Sequence, residues 1–243
     1  MTELAGRRVV VTGATGGVGA ALSRRLAHAG ARLALTSATP DKLATLAGAL
    51  RDGTGADVVH RAADITTEAE VAAFFTAAGR HLGGADALVN LAGLSVVGTT
   101  WETTTDAYRR VVDVNVTGTF LACKHFVPLV DPSKGGLVVN VSSMAAKRPN
   151  PTAPLYCTAK AAVSMFSQAF ALQSRERGIR VSTLSPGGID TPFWGDRPVD
   201  RSGFLTADEV AEMIAFVLAL PAHIAVHDLA FESVGRRREV AAA

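Results

Sequence analysis

Aromatic residues are scarce in this 243-residue chain, at 6%, and cysteine occurs only twice, as Cys123 and Cys157. Two cysteines cannot build a disulfide scaffold or a four-cysteine zinc site, so a reduced, cytoplasmic compartment is the expectation. No apolar run approaches the roughly 20 residues of a membrane span, and no membrane partner is expected. The opening residues, Met1 to Arg8, lack the apolar core of a signal peptide and lead straight into a strand-like segment. A dominant charge sign is also missing. The net charge is +2 and the hydrophobic share is 48%, which excludes a disordered polyelectrolyte. The clusters Arg7-Arg8, Arg24-Arg25 and Arg236-Arg237-Arg238 are scattered and carry no interleaved aromatics. They read as solvated surface and a frayed tail over 236–243, and no nucleic-acid partner is expected. Neither a zinc-protease helix motif nor a Gly-x-Ser-x-Gly elbow occurs, which removes the corresponding hydrolase readings. His223 and His227 have helical spacing, but Pro221 precedes them and a strand-like segment follows. No metal site is expected there.

What the chain does contain is alternation. Apolar, β-branched runs at Arg8–Thr12, Arg32–Thr36, 56–60, 86–90, Gly136–Val141, 180–184 and Asp228–Phe231 read as strands. Helical patterns follow them: one with Leu22 and Leu26 on a face, one from about Asp41, then Glu68–Leu82, 104–130, 155–177 and 206–220. Thr117-Gly118-Thr119 weakens the middle of the fourth, and Thr206 with Glu209 has the spacing of a capping box. Strands that are apolar throughout, alternating with helices, predict a parallel sheet covered on both faces. The expected fold class is α/β: a Rossmann-like doubly wound sheet of about seven strands, in one domain spanning 1–243.

Between the first strand and the first helix stands Thr12-Gly13-Ala14-Thr15-Gly16-Gly17-Val18-Gly19. Glycine lets a backbone turn tightly and approach a pyrophosphate closely, and the helix that follows aims unpaired N–H groups and its positive end at it. A glycine cluster alone is weak. At the first turn of an α/β chain it reads as a dinucleotide site.

The spacing Thr-Gly-x-x-x-Gly-x-Gly resembles the phosphate loop of the short-chain dehydrogenases/reductases, and further motifs continue the likeness over roughly residues 5 to 235. Asp64-Ile65 follows the third strand, where that family places an acid near the adenine. Asn90-Leu91-Ala92-Gly93 is similar to its Asn-Asn-Ala-Gly segment, with Leu91 replacing the second asparagine and removing a polar side chain expected near the cofactor. Asn115 lies in a Val-Asn-Val-Thr-Gly context, Ser142-Ser143 ends the fifth strand, and Tyr156-Cys157-Thr158-Ala159-Lys160 has the Tyr-x-x-x-Lys form. Pro186-Gly187-Gly188-Ile189-Asp190-Thr191 resembles the segment after the sixth strand. The resemblance implies a nicotinamide cofactor held by Gly13, Thr15, Gly16, Gly17, Val18, Gly19, Ser37, Asp64, Ile65, Asn90, Ala92, Gly93, Tyr156, Lys160, Pro186, Gly187, Ile189 and Thr191.

Tyr156 and Lys160, four apart on a predicted helix, share one face. By itself such a pair is commonplace on protein surfaces. Behind a phosphate loop and a strand-ending serine it reads as an acid–base tyrosine and its tuner. Bringing a tyrosine from about 10 to near 7 needs roughly 4 kcal/mol. A lysine about 5 Å away is worth roughly 3 kcal/mol at an effective dielectric near 20, and a positively charged nicotinamide could supply the rest. Ser143 stands thirteen residues ahead of Tyr156, as the family's catalytic serine does, and could hold the substrate oxygen. Ser142 should point to the opposite side of the strand. The resemblance implies that Asn115 holds a water linking the lysine to solvent. The implied reaction is reversible hydride transfer between nicotinamide and a carbonyl/alcohol pair.

An acid at the end of the second strand usually selects NAD. Leu35-Thr36-Ser37-Ala38-Thr39 contains none, although the arginine common in NADP-using relatives is also absent, with Gly16 and Ala38 at its positions. NADP(H) is the expected cofactor and NAD(H) the alternative. Between Thr191 and Leu205, Phe193 and Trp194 could wall a substrate pocket or simply pack a lid, Arg197 or Arg201 could meet an anionic group, and Trp101 is a second pocket candidate. Cys157 reads as a packing residue. Two other functions fit the motifs less well: a cofactor sensor without turnover, which would need only the phosphate loop, and a non-redox reaction on the same cofactor. The expected partners are a small carbonyl or alcohol and, by resemblance, further copies of the chain in a homodimer or homotetramer.

Overall fold

In the computed structural model, residues 4–235 are described; the tail expected over 236–243 lies outside them. The strands are β1 (Arg8–Thr12), β2 (Arg32–Thr36), β3 (Val58–His60), β4 (Ala87–Asn90), β5 (Gly136–Val141), β6 (Ile179–Pro186), the short β7 (Ile189–Asp190) and β8 (Leu205–Thr206), and β9 (Asp228–Phe231). The helices are α1 (Gly17–His28), α2 (Pro40–Thr54), α3 (Glu68–Leu82), α4 (Thr105–Val112), α5 (Gly118–Phe126), α6 (Pro154–Ser174) and α7 (Ala207–Leu218). Seven strands form one parallel sheet in the order β3-β2-β1-β4-β5-β6-β9, and β7 pairs with β8 separately.

Alternation along each strand feeds two cores. Val9 and Val11 of β1 pack with Leu22, Leu26, Leu43 and Ile214 on the face covered by α1, α2 and α7. Val10 points the other way, into Phe74, Phe75, Leu88 and Phe126 beneath α3 and α5. Both faces are covered, so every residue from Val9 to Val11 is apolar and fully buried. The order of connection reverses between β1 and β4, and the crevice at the carboxyl ends of those strands is where a ligand belongs.

The helix expected over 104–130 is interrupted. Between α4 and α5 a π-helical turn spans Asp113–Thr117, centred on Asn115, and a 3₁₀ turn at Val127–Leu129 ends the run. One extra residue in the turn breaks the 3.6-residue period, which no pattern based on that period can anticipate. The helix expected over 155–177 likewise ends as α6 at Ser174, followed by a 3₁₀ turn. Thr206 caps α7 with the reciprocal pair of bonds expected from its spacing to Glu209. His223 and His227 fall in the irregular stretch before β9 and share no helix face. Among the described residues, no helix is long and apolar enough to cross a membrane.

Candidate active site

The turn from β1 into α1 is built on glycine where nothing larger fits. Gly13 has φ +66°, and a Cβ there would stand 2.6 Å from the Ala92 nitrogen. A Cβ on Gly19 would stand 2.2 Å from the Gly13 carbonyl oxygen. Loop, helix and the segment after β4 therefore pack backbone against backbone. Gly16 caps α1 without a side-chain bond, and the first turn carries no acidic residue. This cradle, with its free N–H groups and positive helix end, fits the pyrophosphate of a dinucleotide.

At the end of β2 three hydroxyls meet. Thr15 Oγ1 lies 2.6 Å from Ser37 Oγ and 3.3 Å from Thr39 Oγ1, and Ser37 Oγ lies 3.1 Å from Thr39 Oγ1. Lys42, in the first turn of α2, is on the wall of the adjoining cavity. Thr39 belongs to the hydroxyl-bearing segment expected at the end of β2, whereas Lys42 was missed because it lies beyond that segment, in α2.

Behind the cradle runs a buried amide chain. Thr12 Oγ1 donates to Asn90 Oδ1 at 3.2 Å, Asn90 Nδ2 to Asn140 Oδ1 at 2.8 Å, and Asn140 Nδ2 to Ser167 Oγ at 2.9 Å. Asn90 and Asn140 are register partners on β4 and β5. Thr12 Oγ1 also accepts the amides of Leu91 and Ala92, at 3.3 and 3.4 Å. The loop after β4 is thus held by its backbone, and Leu91 packs its side chain on the core where the resemblance had an asparagine. Asn140 was missed, although a lone amide inside an apolar strand signals a buried partner.

β5 and α6 carry the serine, tyrosine and lysine expected to react. Ser142 turns away from the crevice, its hydroxyl bonded to the Lys160 carbonyl at 2.9 Å and to Ser164 at 2.8 Å. Ser143 faces it: its Oγ accepts the Ala145 amide at 3.1 Å and the hydroxyl hydrogen-bonds Tyr156. Lys160 Nζ is 5.7 Å from the centre of the Tyr156 ring and donates to the Val141 carbonyl at 2.9 Å. Burial pushes the Tyr156 phenol up to about 12, against the opposing effects of the Ser143 hydrogen bond and the Arg197 charge. Burial also pushes Lys160 down to about 8. Within the protein alone, then, desolvation outweighs the shift toward neutrality expected from the lysine.

The π-helical turn drives Asn115 into the interior, where its Nδ2 donates to the carbonyls of Leu94 and Val111 at 2.8 and 2.9 Å. Its Oδ1 is buried without a partner among the described residues. That oxygen and Lys160 Nζ flank the same point, 2.9 and 3.4 Å from where a Cβ on Gly93 would stand. A polar atom left open beside the lysine fits a proton-relay position.

One cavity of about 730 Å³ gathers most of the expected residues: Gly13, Thr15 to Gly19, Ala92, Gly93, Ser143, Tyr156, Lys160, Pro186, Gly187, Ile189 and Thr191. Asn90 and Asn115 are buried behind its wall, and Ser37 reaches it through Thr15. Asp64 is off the wall, its carboxylate bonded to Thr66 and paired with Arg110 at 3.5 Å, and Ile65 is buried against Gly118. Phe193, Trp194 and Arg197 line the cavity, whereas Trp101 is 84% exposed and off its wall. Its position after β4 suggested a pocket residue, but the loop carries the side chain outward.

Residues 7–201 match the family model described as short chain dehydrogenase. An uncharacterized oxidoreductase of Staphylococcus saprophyticus is 30% identical over 96% of this chain and 100% of its own length. An alcohol dehydrogenase from the archaeon Thermococcus sibiricus, complexed with 5-hydroxy-NADP, superposes with a TM-score of 0.87 at 29% identity, covering 96% of this chain and 99% of that one. L-Sorbose reductase from Gluconobacter frateurii, complexed with NADPH and L-sorbose, gives 0.88 at 27% identity over 96% and 98%. The matched model spans the glycine cradle, the serine and the tyrosine–lysine helix alike, and the chain belongs to the short-chain dehydrogenase family of oxidoreductases.

Proposed function

We propose that the protein is an NADPH-dependent carbonyl reductase, with NADH the poorer cofactor. The observation that carries this reading is the convergence of Ser143, Tyr156 and Lys160 on the cavity that the glycine cradle opens into. The cofactor, when bound, supplies a hydride to the carbonyl carbon and accepts one in the reverse direction. Ser143 orients the substrate oxygen by a hydrogen bond. Tyr156 gives its hydroxyl proton to that oxygen as charge develops there. Lys160 holds the ribose and, with the open oxygen of Asn115, returns a proton from solvent to the phenolate. The balance is one hydride and one proton added to the carbonyl, giving an alcohol.

The preference for NADPH rests on the end of β2. Thr15, Ser37 and Thr39 offer three hydroxyls to a 2′-phosphate, Lys42 offers a charge, and no carboxylate lines the cavity there to repel it. The two structural relatives named above carry NADP-type cofactors, which supports the same choice. The reading also takes the chain as a single cytoplasmic domain that associates with itself, because Phe120, Met165 and Leu172 present large apolar side chains outward from α5 and α6. A 25 kDa particle in sedimentation would refute that association.

Loss of nicotinamide absorbance with a panel of carbonyl compounds, run with NADPH and with NADH, is the direct test. Tyr156→Phe should lower turnover roughly 10²- to 10⁴-fold while NADPH still binds. Undiminished turnover in that variant refutes the acid–base assignment.

A further inference from the structure

The cavity is lopsided in charge. Its walls carry Lys42, Arg148, Lys160 and Arg197, and one carboxylate, Glu232. Arg148 forms an ion pair with Glu232. Lys42 lines the cavity together with Thr15 of the hydroxyl cluster assigned to the cofactor, and Lys160 belongs to the tyrosine. Arg201, the other basic residue of the substrate loop, is spent on Asp190 at 3.1 Å. Arg197 alone has neither an ion pair nor an assigned task among the described residues.

Arg197 is also held in place. Its guanidinium carbon lies 5.6 Å from the ring centres of both Phe193 and Trp194, and Nη2 donates to the carbonyls of Ser95 and Phe193 at 3.2 and 3.3 Å. These contacts tie the substrate loop to the loop after β4 and leave Nε and Nη1 without partners among the described residues. The Phe193 ring stands 5.7 Å from the Tyr156 ring, so cation and phenol share one pocket, and the Arg197 charge is felt at the phenol. A partly buried guanidinium with no counter-ion is electrostatically unfavourable. A planar fork with unused donors, already restrained by two aromatic faces, is organised for a carboxylate.

We infer that the substrate is an oxo acid, its carboxylate received by Arg197 while its carbonyl meets Ser143 and Tyr156. This rests on the reductase reading of the site. The charge lies beside the Phe193 ring that also neighbours the phenol, so short-chain oxo acids fit, and their esters and amides lack the group that Arg197 would bind.

The test has a binding arm and a turnover arm. Replacing Trp101 by phenylalanine leaves Trp194 as the sole tryptophan, beside Arg197. In that background, with NADPH present, hexanoate and benzoate should quench Trp194 saturably, roughly tenfold to a hundredfold more tightly than hexanamide and benzamide. Arg197→Met should abolish the difference and Arg197→Lys should keep part of it. In turnover, acetoacetate and levulinate should have higher kcat/KM than their methyl esters, and Arg197→Met should cut that ratio by the same factor.

The inference is overturned if amides bind as tightly as acids, if no acid gives a saturable response, or if Arg197→Met leaves the difference intact. Carboxylate binding without oxidation of NADPH by any oxo acid would sustain the carboxylate site and sink the reductase reading. Reduction of the esters with no preference for the acids would do the reverse.

Discussion

Replacing Lys160 by methionine should stabilise this protein while disabling it. The lysine is 5% exposed, and burial lowers its pKa from 10.5 to about 8. Keeping it charged at pH 7 therefore costs the native state about 3 kcal/mol relative to the unfolded chain. Methionine fills a similar unbranched volume without that charge. It also removes the bond to the Val141 carbonyl, at a loss of about 1 kcal/mol, which leaves a gain of about 2 kcal/mol. For a domain of this size that is a rise in Tm of about 4–8 °C. The sign reverses with pH in a defined window. The penalty is complete below about 8, where native and unfolded lysine both hold the proton, and fades towards 10.5 as the native lysine gives it up first. Thermal unfolding followed by circular dichroism at pH 7 and pH 10, at one protein concentration, measures both values. A variant less stable than wild type at pH 7, or an advantage that persists at pH 10, would refute the account of Lys160 as a buried charge retained for function.

Gly19→Ala places a methyl group 2.2 Å from the Gly13 carbonyl oxygen and 2.9 Å from the Ala14 backbone, so α1 must move away from the cradle. NADPH affinity should fall roughly tenfold or more, and unchanged binding by fluorescence titration would contradict the close approach. Thr206→Ala removes the cap of α7 and should lower stability by about 1 kcal/mol; combined with Glu209→Ala the loss should be less than additive, since the two side chains cap reciprocally. Burial raises the Asp86 carboxyl, but its hydrogen bonds with Arg8 prevail and hold it below the ordinary value. Asp86→Asn should therefore destabilise most at neutral pH. The deficit, read as denaturant midpoints over a pH series, should shrink as acid protonates the wild-type carboxyl.

Much of the site was legible because its signals are local. Helix periodicity puts the tyrosine and the lysine on one face, while the glycine spacing and the strand-ending serine were legible through their resemblance to the family's motifs. Ser142 and Ser143 show both: alternation sends the two hydroxyls to opposite sides, one into α6 and one toward the cavity, and the resemblance said which. Local reasoning stopped at Asn115, where an irregular turn that no hydrophobic period encodes puts the side chain inside. It stopped also at Trp101, whose exposure depends on the path of a loop.

By itself the sequence determined the α/β class, the doubly wound parallel sheet and the place of the phosphate cradle, since apolar runs, glycine conformations and helix faces follow from neighbours a few residues apart. Tertiary structure alone decided which arginine between Thr191 and Leu205 lacks an ion pair among the described residues, that Asn140 completes a chain from Thr12 to Ser167, that Lys42 reaches the cavity, and that burial governs the titration of Tyr156 and Lys160. Each of these depends on groups distant in sequence meeting at the crevice between β1 and β4. Ion pairing and desolvation are properties of that meeting, and no local pattern records them.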